Sequence, residues 1–497
     1  MKAIVGEIKE NKKALVIGAG IAGLAIALRL KSKGYEVTVI EANAYPGGKI
    51  SNLELNGYRF DTGPSLLTMP HLIDELFSLF NENPKDFFNY RNKDTICNYF
   101  WEDGTRFSAA ADKEEFINDL LSTFQVSKYE IENYLEKNKQ KYELTSGVFL
   151  EKSLHKISTY LSATTLKAVL NFYKLDTNRS LNATNKKSFR DQKLVQLFNR
   201  FATYNGSSPY KTPGIMSMIP HLEMQLGTFT PKGGMKEIAL SLYALALKKG
   251  VQFKFNEEVT KITIAKKAIT GLISSKGRYE ASLVVSNSDI FTSYSSLLKD
   301  DLSPKKIVQQ ERSSSAIIFY WGIRKQFPEL DLHNILFSSD YEGEFDILFN
   351  QQLISSDPTV YINISSKEES ADAPEGSENW FVMINTPANY NQDWDALIVE
   401  AKKNIINKIN SILKIDLEPL IECESILDPR TIESKTKSHR GSLYGASSNS
   451  KFAAFLRHPN FTSKIKGLYF CGGSVHPGGG IPLSILSAKI VSDLIDK

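Results

Sequence analysis

The first chemistry that the sequence suggests is phosphate binding at a glycine-rich turn near its start. This turn comprises Gly18, Ala19, Gly20, Ile21, Ala22 and Gly23, in the pattern Gly-x-Gly-x-x-Gly. An apolar strand is predicted before it at residues 14–17, and an apolar helix after it at residues 21–33. In this context the first glycine permits a tight turn, the second lets the backbone approach a diphosphate, and the third lets helix and strand pack closely. The free N–H groups and positive dipole end of the helix then favour the anion.

Glu41 stands where the ribose of a dinucleotide would be held. It ends a second predicted strand, residues 36–40, about 20 residues after the glycines. Its carboxylate would accept a hydrogen bond from a ribose hydroxyl and would disfavour a 2′-phosphate. Glycines that merely pack a helix on a sheet are the alternative. Strand, turn, helix and acidic residue in register favour a dinucleotide site.

Two further glycine-rich segments indicate a cofactor larger than a nicotinamide dinucleotide, and FAD is predicted. One segment follows Glu41, and the other follows a predicted strand at residues 467–471. The predicted contacts in them are Ala42, Gly47, Gly48, Lys49, Gly472, Gly473, Gly480, Ile481 and Pro482. Backbone N–H groups there can meet phosphate, ribitol or the isoalloxazine ring. A tight turn before the last helix is the alternative, although five glycines in the nine residues 472–480 exceed what a turn needs.

The rest of the sequence predicts an α/β fold, α+β overall, with an interrupted cofactor domain. Residues 70–200 have the apolar spacing of amphipathic helices, residues 230–290 read as strand, helix and strands, and residues 311–400 alternate as strands do. A helix is predicted at residues 394–413 and another at 483–495. The predicted cofactor domain therefore comprises residues 1–85, 230–295 and 440–497. Residues 86–229 and 296–439 form the predicted substrate domain, with a helical lid near residues 130–200.

Composition excludes several classes of protein. The 497 residues are 42% hydrophobic and 23% charged, which is typical of a globular enzyme rather than a disordered chain. The net charge of +4 gives no argument for nucleic acid. Cys97, Cys423 and Cys471 lie far apart without metal-ligand spacing, so no metal site is predicted and a reducing cytosol fits best. No uninterrupted run of about 20 apolar residues occurs, and no transmembrane helix is expected.

Motifs along nearly the whole chain resemble those of the bacterial carotenoid desaturase family, relatives of phytoene desaturase. Besides the first glycine motif they are Phe60-Asp-Thr-Gly-Pro-Ser65, Pro231-Lys-Gly-Gly-Met235, Val284-Val-Ser-Asn-Ser-Asp289 and Gly473-Ser-Val-His-Pro-Gly-Gly-Gly-Ile-Pro482. The resemblance implies a glutathione-reductase-like Rossmann fold, FAD as cofactor and a C40 carotenoid as substrate. It adds Thr62, Gly63, Pro64, Ser65 and Val259 to the predicted FAD contacts. The chain departs from the family pattern at Gly473-Ser-Val-His, where Gly-Ala-Gly-Thr-His is usual, and at Lys49, where arginine is common.

One segment resembles a particular branch of this family. The run Ile219-Pro-His-Leu-Glu223 is similar to that of desaturases that act on hydroxylated carotenoids at the 3,4 position. The expected activity is therefore 3,4-desaturation of a 1-hydroxycarotenoid. Phytoene desaturation, or polyene isomerisation or saturation by a related FAD enzyme, is the alternative. The resemblance assigns no electron acceptor.

His221 and Glu223 are the predicted catalytic residues. Removing hydrogen from a CH–CH unit transfers a hydride to flavin and leaves a proton for a base. If residues 216–223 form a strand, the two side chains share one face. A substrate-facing pair and a structural hydrogen-bonded pair both remain open. Asp61 and His476 are better explained as a turn residue and a brace for the cofactor loop.

A basic amphipathic stretch at residues 148–174 predicts peripheral contact with a membrane, where a carotenoid dissolves. Its lysines are Lys152, Lys156, Lys167 and Lys174, and its apolar residues are Phe149, Leu154, Ile157, Leu161, Leu166, Val169, Leu170 and Phe172. Such a stretch can lie on an anionic bilayer. The alternative is an ordinary lid helix with a solvated basic face. The expected location is cytoplasmic, at the membrane surface.

Overall fold

The computed structural model describes residues 12–160, 165, 167, 170–298, 304, 310–450 and 457–495. The strands in chain order are β1 (Lys13–Ile17), β2 (Glu36–Ile40), β3 (Asn52–Leu55), β4 (Tyr58–Asp61), β5 (Tyr90–Asn92), β6 (Thr95–Phe100), β7 (Arg106–Ala110), β8 (Phe229–Pro231), β9 (Gln252–Lys254), β10 (Val259–Ala265), β11 (Ala268–Ser274), β12 (Arg278–Glu280), β13 (Leu283–Ser286), β14 (Ser315–Ile323), β15 (His333–Leu336), β16 (Val360–Ile364), β17 (Glu378–Thr386), β18 (Ile421–Leu427) and β19 (Leu468–Phe470). The α-helices are α1 (Ile21–Ser32), α2 (His71–Ser78), α3 (Lys113–Thr123), α4 (Lys128–Thr145), α5 (Ile157–Tyr160), α6 (Leu181–Ser188), α7 (Gln192–Asn199), α8 (Lys236–Lys248), α9 (Ile290–Thr292), α10 (Tyr341–Asp346), α11 (Trp394–Leu413), α12 (Pro429–Thr436) and α13 (Ile481–Ile495).

A five-stranded parallel sheet carries the glycine-rich turn. Its strand order is β19-β13-β1-β2-β9, so its members come from the two ends and the middle of the chain. Helix α1 crosses from β1 to β2 and is buried from Ala22 to Leu30, because it lies between this sheet and helices α8 and α13. A helix apolar on all its sides is stable only in such a buried position. The predicted α/β dinucleotide-binding architecture is confirmed.

A seven-stranded mixed sheet forms the second layer. Its order is β18-β14-β17-β16-β15-β6-β7, and only the β15–β6 pair is parallel among the described strands. The amphipathic helix α11 covers one face, where Ile405 and Ile409 pack near Trp321 and Trp380. On the opposite face Ile318, Tyr320 and Phe381 pack partly against Tyr58 and Phe60 of β4.

The two sheets follow the predicted division of the chain. All strands of the parallel sheet come from the segments assigned to the cofactor domain, and all strands of the seven-stranded sheet come from those assigned to the substrate domain. The domain boundaries themselves stay a prediction.

The segment around His221 is helical, so the condition under which His221 and Glu223 would share a face, a strand at residues 216–223, is not met. A 3-10 turn spans Gly214–Met218 and a π-helical turn spans His221–Gln225. Pro213 precedes the first turn and Pro220 the second, and proline is well suited to the start of a helical turn because its fixed φ matches the helix. The alternation of apolar and polar residues at 216–223 therefore does not reflect a strand.

The basic stretch at residues 148–174 is not one continuous helix in its described parts. It contains a π-helical turn, Ser146–Leu150, then α5, and a 3-10 turn, Phe172–Leu175. The predicted apolar residues Leu161, Leu166 and Val169 lie outside the described residues. Across the part of the chain that the structure covers, every helix is too short or too polar to span a bilayer.

Candidate active site

One cavity of about 1380 Å³ lies between the parallel sheet and the seven-stranded sheet. Nearly all the residues predicted to contact the cofactor are in its wall. They are Gly18, Gly20, Ile21, Ala22, Glu41, Ala42, Gly47, Gly48, Lys49, Thr62, Gly63, Pro64, Ser65, Val259, Gly472, Gly473, Gly480, Ile481 and Pro482. Ala19 and Gly23 lie behind that wall. A single ligand site is usually about 300–1,000 Å³, so this cavity has room for a cofactor and a second molecule.

The glycine-rich turn is packed too tightly for larger residues. A Cβ at Gly23 would lie 2.1 Å from the carbonyl oxygen of Gly18, and a Cβ at Gly20 would lie 2.7 Å from Asn287 Oδ1. Gly18 itself has a φ of +92°. Among the described residues Asn287 caps Gly23 N in the first turn of α1, and the N–H groups of Ile21 and Ala22 are left available to an anion. This cradle fits the diphosphate of a dinucleotide.

Glu41 is buried at the end of β2 with one acceptor position to spare. Its Oε1 accepts hydrogen bonds from the backbone and side-chain nitrogens of Asn43 at 2.8 and 3.0 Å, and its Oε2 accepts one from Ala19 N at 2.7 Å. A carboxylate offers about four lone-pair sites. The remaining site on Oε2 can accept from a ribose hydroxyl, as the sequence predicts.

Asn287 is a site residue to which sequence reasoning gave no role. It follows β13, where its Oδ1 accepts from Gly23 N at 3.1 Å and its Nδ2 donates to Cys471 O at 3.2 Å. It thereby ties the N-terminal turn to the end of β19. A polar amide directly after the apolar strand Leu283–Ser286 was the signal that could have found it.

Lys49 brings a buried positive charge to the cavity wall. Its Nζ donates to the carbonyls of Leu443 and Ser442 at 2.9 and 3.4 Å. Burial lowers the pKa of Lys49 to about 8, although nearby Asp289 opposes the shift. The side chain therefore stays mostly protonated at pH 7 and can stabilise negative charge on a bound cofactor.

The predicted catalytic pair is split by the helical turn. Glu223 is in the cavity wall, where Arg200 and Tyr204 both donate to its carboxylate. His221 is outside the wall, with its Nδ1 2.8 Å from Gln225 Oε1 and its ring packed near Tyr142. A catalytic role for His221 and Glu223 remains a prediction, and they do not share a face.

Asp61 and His476 also lie outside the cavity wall. Asp61 accepts from Arg59 at 2.9 Å and from Met235 N at 3.0 Å, which fixes the end of β4 against α8. His476 Nε2 is 2.9 Å from the carbonyl oxygen of Lys152. Both contacts agree with their interpretation as structural residues.

The face of the seven-stranded sheet that lines the cavity is apolar over its centre and polar at one side. Its lining residues are Ile318 and Tyr320 of β14, Phe381, Met383 and Asn385 of β17, Tyr361 of β16, His333 and Ile335 of β15, and Ile96 and Cys97 of β6. From β18 to β6 there are five strand spacings of about 4.8 Å, so this floor is about 24 Å wide. Two hydroxyls hold the predicted cofactor loop on it: Tyr320 donates to Thr62 O at 3.0 Å, and Tyr361 Oη is 2.7 Å from Ser65 Oγ.

Comparison with known proteins gives consistent matches over the whole fold. The family described as flavin containing amine oxidoreductase matches residues 21–496. A 1-hydroxycarotenoid 3,4-desaturase from a Flavobacterium species is 58% identical over 97% of this chain and 99% of its own length. A phytoene desaturase from Fusarium fujikuroi is 30% identical over 98% of this chain and 90% of its own. The structure of cyclohexylamine oxidase from Brevibacterium oxydans superposes with a TM-score of 0.62 at 14% identity, covering 98% of this chain and all of that one, which shows the shared fold.

Proposed function

The chain belongs to the flavin containing amine oxidoreductase family, and we propose that it is an FAD-dependent carotenoid desaturase that introduces a carbon–carbon double bond into a C40 polyene. The observation that carries this proposal is the single cavity that joins the dinucleotide cradle to a long apolar floor. The high identity to a 1-hydroxycarotenoid 3,4-desaturase supports the same reaction at the same bond.

The residues in the cavity wall fit FAD in two parts. The turn at Gly18 and Gly20, with the N-terminus of α1, would hold the diphosphate, and Glu41 would hold the adenosine ribose. Lys49 and the loop from Thr62 to Ser65 lie on the side of the second sheet, where they would hold the flavin ring against the floor. A bound flavin supplies the acceptor for the hydride that leaves the substrate.

The protein's own residues bind and orient the polyene and exclude water from it. Ile318, Phe381 and Met383 present apolar surface along the floor, and a flat polyene lying across them is shielded from water. The width of the floor suits an extended substrate better than a small amine. Glu223 would act as a positioning group for Arg200 and Tyr204, which both donate to its carboxylate in the cavity wall.

Anaerobic incubation of the purified holoprotein with a panel of carotenoids tests the proposal. The panel contains acyclic, monocyclic and 1-hydroxylated compounds, with a primary amine as the comparison. We expect the flavin absorbance to bleach with a carotenoid and the product to have lost two hydrogens by mass spectrometry. Bleaching by the amine alone would refute the proposal, and so would a product of unchanged mass, which is the result of isomerisation.

We also propose that the protein collects its substrate from a membrane surface through residues 148–174, of which the structure describes 148–160, 165, 167 and 170–174. Four large apolar side chains are exposed there: Tyr160 by 55%, Leu170 by 70%, Phe172 by 50% and Tyr173 by 77%. Lys152, Lys156, Lys167 and Lys174 of the same stretch are also exposed, and Lys174 Nζ lies 5.7 Å from the centre of the Tyr173 ring. Apolar side chains surrounded by cations suit an anionic bilayer.

Co-sedimentation with liposomes tests this attachment. Binding to anionic vesicles should weaken as salt rises, because each surface lysine contributes about 1 kcal/mol to attraction. Changing the four segment lysines to Glu should abolish it without loss of flavin. A matched control changes four exposed lysines elsewhere, Lys113, Lys325, Lys403 and Lys414, to Glu and should still bind. Equal loss in both quadruple variants would mean that net charge alone drives adsorption and would sink the assignment of this segment.

A further inference from the structure

His333 is a buried histidine in the cavity wall that neither the glycine motifs nor the predicted catalytic pair includes. It begins β15 and is only 4% exposed. Its Nδ1 is 2.8 Å from the hydroxyl oxygen of Tyr361 and 3.2 Å from Asn363 Nδ2. Tyr361 in turn contacts Ser65 of the predicted cofactor loop at 2.7 Å. Two hydrogen bonds therefore connect His333 to that loop.

The neighbours of His333 fix which ring nitrogen carries the proton. Asn363 Nδ2 also lies 3.0 Å from the carbonyl oxygen of Leu332, which can only accept a hydrogen bond, so the amide group must be oriented as a donor. The second hydrogen of this amide and the hydroxyl of Tyr361 can both be donated toward Nδ1, which favours the tautomer in which Nδ1 accepts. Burial lowers the pKa of His333 to about 3, with help from Lys93 and Arg200, so the ring is neutral at physiological pH. A neutral ring that accepts at Nδ1 has its proton on Nε2.

This Nε2–H group has no partner among the residues that the structure describes. A buried donor without an acceptor costs free energy, and a bound water, ion or ligand can satisfy it. The neighbouring floor residues Ile335, Phe381 and Met383 offer no side-chain oxygen. The His333 ring therefore lies between the Tyr361 hydroxyl, which leads to the cofactor loop, and the apolar floor residue Ile335 of the same strand.

We propose that His333 recognises a hydroxyl group on the substrate close to the bond that is desaturated, with Nε2–H donating to the hydroxyl oxygen. The proposal rests on the carotenoid desaturase function above and names the determinant of its substrate class. A hydrocarbon carotenoid has no oxygen and leaves the donor unpaired. In a 1-hydroxycarotenoid the oxygen is three bonds from C3 of the 3,4 bond, so a donor beside the cofactor loop is at a suitable end of the cavity.

The test compares kcat/KM for a 1-hydroxycarotenoid and for its parent hydrocarbon of equal length. The wild type should prefer the hydroxylated compound by at least about tenfold, since sites that hydrogen-bond a substrate hydroxyl discriminate strongly against analogues without it. His333→Phe keeps a ring of similar size but removes the donor, so its ratio should fall to near one. His333→Gln has an amide nitrogen close to the position of Nε2 and should restore part of the preference.

Two measurements separate recognition from damage to the fold. In His333→Phe only the hydroxylated substrate should lose kcat/KM, whereas a misfolded site would lose both and would lower the flavin content. The control Ile335→Val, in the same strand and wall, should change both substrates by the same factor. A wild type that desaturates both compounds equally, or a His333→Phe variant that keeps the preference, would overturn this inference and leave the desaturase function standing. A wild-type protein that desaturates neither compound would refute both this inference and the desaturase function.

Discussion

Replacing Gly20 by Ala probes the contact between the glycine turn and Asn287. The new Cβ would lie 2.7 Å from Asn287 Oδ1, closer than real Cβ contacts allow. Asn287 must move, and its hydrogen bonds to Gly23 N and Cys471 O weaken or break. Each such bond contributes about 0.5–1.5 kcal/mol, so the flavin-free protein should lose about 1–3 kcal/mol.

A double-mutant cycle shows whether Asn287 is the cause. In an Asn287→Ala background the side chain that obstructs the Cβ is gone, and Gly20→Ala should then cost less than about 0.5 kcal/mol. The shift of the urea midpoint, multiplied by the wild-type m-value, measures each corner of the cycle. Gly277→Ala is the matched control, because a Cβ there meets no atom within 4 Å and the backbone φ is ordinary.

Flavin retention supplies the second readout of the same variants. We expect Gly20→Ala to lose flavin in both backgrounds, since the methyl group occupies the path by which a diphosphate approaches α1. An equal stability cost with and without the Asn287 side chain would refute the clash. Full flavin occupancy in the double variant would refute the position of the diphosphate.

Three other changes test separate parts of the molecule. Burial raises the pKa of Glu344 from 4.5 to about 7, so the folded state holds this proton more tightly than the unfolded state. The wild-type free energy of unfolding should therefore fall by about 3 kcal/mol between pH 4.5 and 7. Glu344→Gln should lack that slope in urea titrations, and parallel curves would contradict it. Glu223→Ala leaves Arg200 buried without its carboxylate partner and should lower the free energy of unfolding by about 3–5 kcal/mol. Adding Arg200→Met to that variant should restore most of the lost stability. If it restores none, the Arg200–Glu223 pairing is contradicted. Deleting residues 467–497 removes β19 and α13 and should abolish flavin binding measured by absorbance, and a truncated protein with stoichiometric FAD would refute the two-ended cofactor site.

The elements around the glycine turn could be predicted because their signals are local. The predicted strand at residues 36–40 coincides with β2, and the helix predicted at residues 21–33 ends one residue later than α1. Apolar periodicity, glycine spacing and a terminal Gly34 all act within a few residues of one another. The cavity then collects the predicted cofactor residues because parallel strands bring their carboxyl ends to one edge.

The substrate side of the cavity could not be predicted in the same way. Whether His221 or His333 faces the cavity depends on how distant strands and turns pack. A single histidine forms no periodic sequence pattern from which its orientation could be predicted. The alternation at residues 216–223 suggested a strand, but prolines and tertiary packing favour helical turns. Asn287 likewise gains its role only when β13 lies between β1 and β19.

The strand order of the parallel sheet also determines which contacts form late during synthesis. The strand β1 is made more than 440 residues before β19, yet both flank β13 in one sheet, and α13 packs on α1. Until α13 has been made, the apolar surface of α1 that it will cover stays exposed, and exposed apolar surface favours aggregation and binding by chaperones. Contacts between such distant parts of a chain also form slowly. We expect FAD to bind only after β19 and α13 have left the ribosome, so that cofactor binding and chaperone release occur at the same late stage of folding.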